Sequence, residues 1–129
     1  MEQEYYLLVD VDIHNIDEYK KYLNKVKPMV EKFGGKYLIK GGKIDAKETD
    51  LWKPTRIVLV QFPNTTSALN WYNSEEYRPL KNLRLTNATS TILFIEGVDS
   101  KSFKNEEIKN IKMKPLKTDN KTTIKKPQQ

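Results

Sequence analysis

Three arginines stand among twenty lysines in this chain, and all three, Arg56, Arg78 and Arg84, fall between residues 56 and 84. A chain that meets its general need for positive charge with lysine has a particular use for a guanidinium. The planar fork binds a carboxylate or phosphate through two parallel hydrogen bonds, which an ammonium cannot do. Arg56 opens an apolar stretch that reads as a strand, and Arg84 lies near the end of a helical region. The two can therefore converge on one small anion. The competing reading is structural pairing with Asp10, Asp12 or Glu96. Arg78 reads as a surface residue.

Around these arginines lie side chains suited to hold such a ligand. Trp71 and Tyr72 are adjacent, so they cannot share one helical face, and one is expected in the core while the other rims a cleft. Tyr37 and Tyr77 can present hydroxyls to a polar ligand, or pack with the hydroxyl wet. Ser74 suits an N-cap; no base is spaced near it to make it a nucleophile. His14, in the loop after the first strand, is the sole histidine and so the only side chain whose ordinary pKa lies near neutrality. As a catalytic acid or base it competes with a simple solvated role. Asp10 and Asp12 sit two apart on one strand face, a possible carboxylate pair or hard-cation site, with neutralisation by Arg or Lys as the plainer reading.

Composition removes several classes. Without cysteine there is no disulfide framework and no thiolate metal site, and one histidine cannot make a His-rich one. The acidic start, Met-Glu-Gln-Glu, runs straight into a strand, and no apolar run approaches the roughly 18 residues of a membrane span. A reducing cytoplasm is the expected compartment. Asn-x-Thr triplets at Asn64, Asn87 and Asn120 then count as chance matches. The Gly34-Gly35 and Gly41-Gly42 pairs lack phosphate-loop spacing. The net charge of +6 is uneven: residues 98–129 carry nine lysines and four acids, while residues 1–97 are close to neutral.

The elements that must position these residues follow from periodicity. Residues 5–13 alternate as a strand, with Tyr5, Leu7, Val9, Val11 and Ile13 on one face and Tyr6, Leu8, Asp10 and Asp12 on the other. Ile16, Tyr19, Tyr22, Leu23, Val26, Met29, Val30 and Phe33 form a helical stripe, capped by Asn15 or Asp17, kinked at Pro28 and closed by Gly34. A short strand over 36–40 is expected to resume at Lys43-Ile44, ahead of a polar excursion over 45–54. Residues 55–62, apolar on both faces, suggest a central strand. A second helix starting at Thr65, Thr66 or Ser67 breaks at Asn73-Ser74, and a further helical segment reaches about Leu85. The last strand is 89–96.

The order β-α-β-β-α-β gives one antiparallel sheet with its helices on a single face, the ferredoxin-like α+β sandwich. Yet the strands are apolar on both sides. Tyr6, Leu8, Val58, Val60, Ile92 and Phe94 make one set, and Leu7, Val9, Ile57, Leu59, Leu93 and Ile95 the opposite one. An uncovered face of that kind exceeds what monomers usually leave to water, so a homodimer packed sheet on sheet is expected, with fold-back of the tail as the alternative cover.

Several of these residues occur in an order that resembles a known family. They are Tyr19-x-x-Tyr22 with Pro28, Gly34-Gly35-x-Tyr37, Gly41-Gly42, Trp52 followed by Arg56, Phe62-Pro63, Ala68, Trp71-Tyr72, Ser74-x-x-Tyr77, Arg84 and Glu96-Gly97. Over residues 5–97 the chain is similar to a small bacterial family of unknown function in the dimeric α+β barrel superfamily. The resemblance implies a ferredoxin-like protomer, a barrel formed by two sheets about a two-fold axis, and a pocket between each sheet and its own helices or at the barrel edge. The superfamily includes cofactor-free monooxygenases, muconolactone isomerases, haem-degrading enzymes and ligand-sensing domains, so the fold does not select a chemistry. The tail after Gly97 and the interruption at Pro79 depart from the family pattern.

The expected organisation is a barrel domain over residues 1–97 and a basic, largely disordered tail over 98–129. The leading functional reading is a homodimer that binds or converts a small anionic or aromatic metabolite without a bound cofactor or metal. Arg56, Arg84, Trp71, Tyr72, Tyr77, Tyr37 and Ser74 would be its binding residues and His14 its proton carrier. A non-catalytic ligand-binding or assembly module is the alternative. Nucleic acid held by the dispersed tail lysines comes last, because no aromatics are interleaved with them.

Overall fold

The computed structural model describes residues 3–98; the tail from residue 99, where the disorder was expected, lies outside them. The strands are β1 (Tyr5–Ile13), β2 (Lys36–Lys40), β3 (Ile57–Phe62) and β4 (Ala88–Glu96), and the helices α1 (Ile16–Lys32), α2 (Thr65–Tyr72) and α3 (Arg78–Asn87). The sheet is antiparallel in the order β2-β3-β1-β4. This is the ferredoxin-like α+β arrangement, with the two long strands that carry the most alternation, β1 and β4, paired along nine residues.

Local chemistry sets the helix ends. Asn15, in an extended conformation, accepts a hydrogen bond from Glu18 N at 3.2 Å, and Asp17 and Glu18 place negative charge at the positive end of α1. The helix runs through Pro28 as one element. Gly34 follows at φ 93°, a left-handed residue that lets the chain leave the helix without a Cβ penalty. Gly35 is packed so closely that a Cβ there would collide with Val30 and touch Phe62. For α2 the cap is Asn64, one residue before the expected candidates, with Oδ1 accepting from Ser67 N at 2.8 Å. The expected resumption of a strand at Lys43-Ile44 does not occur: β2 ends at Lys40, and no sheet pairing carries beyond it. The left-handed Gly41 turns the chain there instead.

Register corrects the sorting of the two apolar sets. Leu7 pairs with Val60 and Phe94, and Val9 pairs with Val58 and Ile92. These residues share the helix-covered face, and Tyr6 and Leu8 lie opposite with Ile57, Leu59, Leu93 and Ile95. Alternation says which residues of one strand share a face, but pairing alone decides how neighbouring strands are phased.

The core lies between the sheet and the helices. Leu7, Val11, Val60 and Phe62 from the sheet meet Tyr19, Tyr22, Val26 and Val30 of α1 and Ala68 and Trp71 of α2. Among the described residues no helix covers the opposite face. There Leu93 and Ile95 remain 41% and 46% exposed.

Candidate binding site

One polar intrusion into this core organises the site. On α3, Tyr77 leads into Leu80, Arg84 and Asn87, whose spacing of three and four residues turns one face inward. Pro79 tolerates this position because it falls in the first turn, where its missing N–H has no helical partner in any case. The inward face is not wholly apolar: Arg84 is only 3% exposed. Among the described residues no carboxylate pairs with it. Its one close polar contact is long, Nε donating to the Tyr77 hydroxyl at 3.4 Å. Burial works against its charge, but the surrounding tyrosine oxygens of Tyr77, Tyr22 and Tyr72 outweigh that and hold its pKa above the ordinary value. It is therefore a buried, permanent cation.

Arg84 lines a cavity of about 40 Å³ between the sheet and α1. Arg56 lines the same cavity from the start of β3, so the two arginines do share one space. Arg56 is positioned by its backbone. Its carbonyl accepts from Val11 N at 3.0 Å, and its own N–H, with that of Thr55, donates to the Asp10 carboxylate at 3.0 and 2.8 Å. Trp52 Nε1 adds a third bond to Asp10 at 2.7 Å. Desolvation would raise the Asp10 pKa, but these three donors together bring it below its ordinary value. Asp10 thus clamps residues 52–56 to β1 through the Arg56 N–H, not its guanidinium. The guanidinium lies against Gly41, where a Cβ would stand 2.8 Å from Nε and Nη2. Its Nη1 is buried without a hydrogen-bond partner.

Tyrosines surround the arginines. The hydroxyls of Tyr22 and Tyr77 are 2.8 Å apart. Burial, reinforced by Tyr77, pushes the Tyr22 phenol well above its ordinary pKa, and burial likewise raises Tyr37. Tyr19 is raised by burial too, and both Arg84 and Arg56 pull it back, so its hydroxyl feels the two guanidiniums together. Trp71 is 2% exposed, packs at 4.3 Å between centroids on Tyr77, and leaves Nε1 buried and unpartnered. Lys27 and Lys40 also line the cavity, Lys27 already bound to Glu31 at 2.6 Å. Among the described residues no Asp, Glu or His lines it.

Of the residues singled out from sequence, the cavity gathers Arg56, Arg84, Trp71, Tyr77 and Tyr37. Tyr72 lies beside it, edge-on to Phe94 at 5.6 Å with the Lys81 ammonium 4.6 Å above its ring. The Ser74 hydroxyl donates to Trp71 O at 2.8 Å and accepts from Tyr77 N at 3.1 Å, holding the turn between α2 and α3. His14 is exposed, with Nε2 2.6 Å from Thr89 Oγ1, and does not line the cavity. Arg78 makes a surface pair with Glu75 at 2.8 Å. Tyr19 and Tyr22 line the cavity but read from sequence as part of the α1 stripe and of the family motif, not as site residues. Their spacing of three, opposite a buried arginine, is the signal that marks them in retrospect. Among the described residues no three His, Cys, Asp or Glu cluster as a metal site, and no helix is long and apolar enough to cross a membrane.

Known proteins with this architecture give the fold more than the chemistry. A protein of unknown function from Rhodopseudomonas palustris superposes with a TM-score of 0.61 at 15% identity, covering 77% of this chain and 85% of that one. SnoaB, a cofactor-independent oxygenase from Streptomyces nogalater, superposes with a TM-score of 0.55 at 11% identity, covering 75% of this chain and 95% of that one. At such identities the likeness is one of fold. No curated protein matches the sequence. The model of the domain of unknown function DUF1330 matches residues 4–98, the whole of the described domain, and the chain belongs to that family.

Proposed function

We propose that this protein binds a small organic anion in the cavity between its sheet and α1, with Arg84 as the anchor and Arg56 as the second cation. The observation that carries the reading is the burial of Arg84 with no carboxylate among the described residues. An uncompensated charge taken out of water costs several kcal/mol, and a ligand that brings the missing negative charge recovers it. Tyr37, Tyr77 and Trp71 contribute hydroxyls, an N–H and flat apolar surface. Tyr72 and Ser74 support this wall from behind, one through Phe94 and the other through the Trp71–Tyr77 turn.

The lining supplies cations and hydrogen-bond donors but no carboxylate or imidazole. A reaction here would proceed by stabilising negative charge on the bound molecule, without a bound cofactor, and His14 would serve only from outside the cavity. That SnoaB, similar in fold, is a cofactor-independent oxygenase favours keeping conversion beside simple binding. The protein would act in the cytoplasm as a symmetric homodimer. The second copy would cover Leu8, Leu59, Leu93 and Ile95, each apolar Å² contributing about 25 cal/mol.

A thermal-shift screen of small organic acids at constant ionic strength tests the binding. A ligand at 100 times its Kd stabilises the wild type by about 2.7 kcal/mol. We expect the shift to shrink in Arg56→Lys and vanish in Arg84→Met. Equal shifts in all three proteins would show general salt effects and end the proposal. Sedimentation at micromolar concentration tests the dimer, and a monomeric mass would remove it.

A further inference from the structure

The cavity is one-sided in charge, and among the described residues its side-chain acceptors are phenolic oxygens alone. Lys27, Lys40, Arg56 and Arg84 donate and never accept, and so does Trp71 Nε1. Arg56 and Trp71, both in the lining, each keep a buried nitrogen, Nη1 and Nε1, with no hydrogen-bond partner among the described residues. The Tyr22–Tyr77 contact uses one of the two phenolic protons, and Tyr77 oxygen also accepts from Arg84 Nε. One proton of that pair is left to give away. Tyr19 adds a hydroxyl under the influence of both guanidiniums. Among the described residues no side-chain amide, carboxylate, imidazole or aliphatic hydroxyl lines the space. The two inner strands beside it, β1 and β3, are paired on both sides in the sheet. Glu31 is bonded to Lys27, and among the described residues no acid pairs with Lys40, Arg56 or Arg84.

We infer that the site is selective for acceptor-only acid anions, short carboxylates without an amino group, and that it rejects amino acids of the same skeleton. The inference rests on the anion-binding reading above. A carboxylate gives Arg84, Arg56 and the spare phenolic proton the acceptors they lack. An ammonium on the neighbouring carbon meets three cations with no paired acid and, among the described residues, only phenolic oxygens as side-chain acceptors, so it is repelled without a counter-charge. The volume of about 40 Å³ is a few times the roughly 10–15 Å³ that one water needs, which favours a short chain or the carboxylate end of a longer one. The apolar walls of Val9, Val58 and Ile92 receive its carbon atoms.

Three probes with one carbon skeleton test this on the full chain by calorimetric titration at neutral pH and fixed ionic strength: butanoate, 2-aminobutanoate and butanamide. We expect butanoate to bind at least about tenfold tighter than 2-aminobutanoate, the difference that one unmatched polar group brings. Butanamide, neutral and carrying donors of its own, is expected to bind weakest. Equal affinity for 2-aminobutanoate, lost in Arg56→Gln, would overturn the selectivity and leave anion binding standing. Butanamide binding as well as butanoate, or butanoate binding unchanged in both Arg56→Gln and Arg84→Met, would overturn anion binding itself. No heat with butanoate would overturn both. Circular dichroism of each variant, matched to wild type, separates lost binding from lost folding.

Discussion

The two faces of this sheet are built from similar apolar residues and differ in what meets them. On the helix face, Leu7, Val60 and Phe62 are sealed by α1 and α2, and the same layer encloses Arg84 at 3% exposure. On the open face, Leu93 and Ile95 are nearly half exposed, and the charged residues that β1 places there are acids: Asp10, holding residues 52–56, and Asp12. The covered face thus keeps cations in the dark, while the open face keeps carboxylates near water. A charge near solvent is cheap to maintain, so Asp10 serves as a clamp. A charge inside is costly, and that cost is the ground for proposing a ligand at Arg84.

The sharpest break in the comparison is expected from Phe62, fully buried on the helix face. Phe62→Ala should cost about 3–5 kcal/mol of unfolding free energy in urea titrations, since it removes an aromatic side chain from a packed layer. An effect below 1 kcal/mol would mean that the helices do not seal that face as described. Ile95→Lys probes the opposite side. With a partner sheet in place, it should lose about 1.5–3 kcal/mol per protomer and halve the sedimenting mass; on a face open to water it should be nearly silent.

Arg84→Met separates function from stability. Removing an unpaired buried cation while keeping an unbranched apolar stem should raise the ligand-free stability by about 1 kcal/mol and abolish anion stabilisation. A fall in stability, measured by the same urea titration, would show that Arg84 is satisfied within the protein.

The faces should also titrate at opposite ends of the pH scale. Asp10 is held below its ordinary pKa of 3.8, so its contribution is present above that value and is lost as pH falls through the lower folded value. Asp10→Asn should cost about 1 kcal/mol at neutral pH and flatten that acid limb. Tyr19, Tyr22 and Tyr37 lie above their ordinary value of 10.0, so their contribution is complete below pH 10 and falls as pH rises beyond it. Tyrosinate absorbance should then appear together with unfolding, and Tyr22→Phe should make the alkaline loss shallower. Free titration of all tyrosines at pH 10 with the fold intact would contradict the buried cluster.

The sequence was a good guide wherever one element answers to its own periodicity. The β1 alternation, the α1 stripe from Ile16, the break at Asn73-Ser74 and the ferredoxin-like order could all be read because each is a local pattern. Arginine scarcity pointed to Arg56 and Arg84, since a residue type used sparingly marks a geometric need. What the residues alone did not decide was phase and depth. Leu7 and Leu8 are equally apolar, and only pairing with Val60 and Phe94 sends Leu7 inward. Asp10 was a candidate partner for the Arg56 guanidinium, yet it takes the Arg56 N–H, because the chain passes β1 backbone first. Tyr19 and Tyr22 read as core until α3 set Arg84 against them. A buried cation has no one-dimensional signature: its lack of a partner depends on every neighbour that the fold brings close, and on the absence of an acid among them.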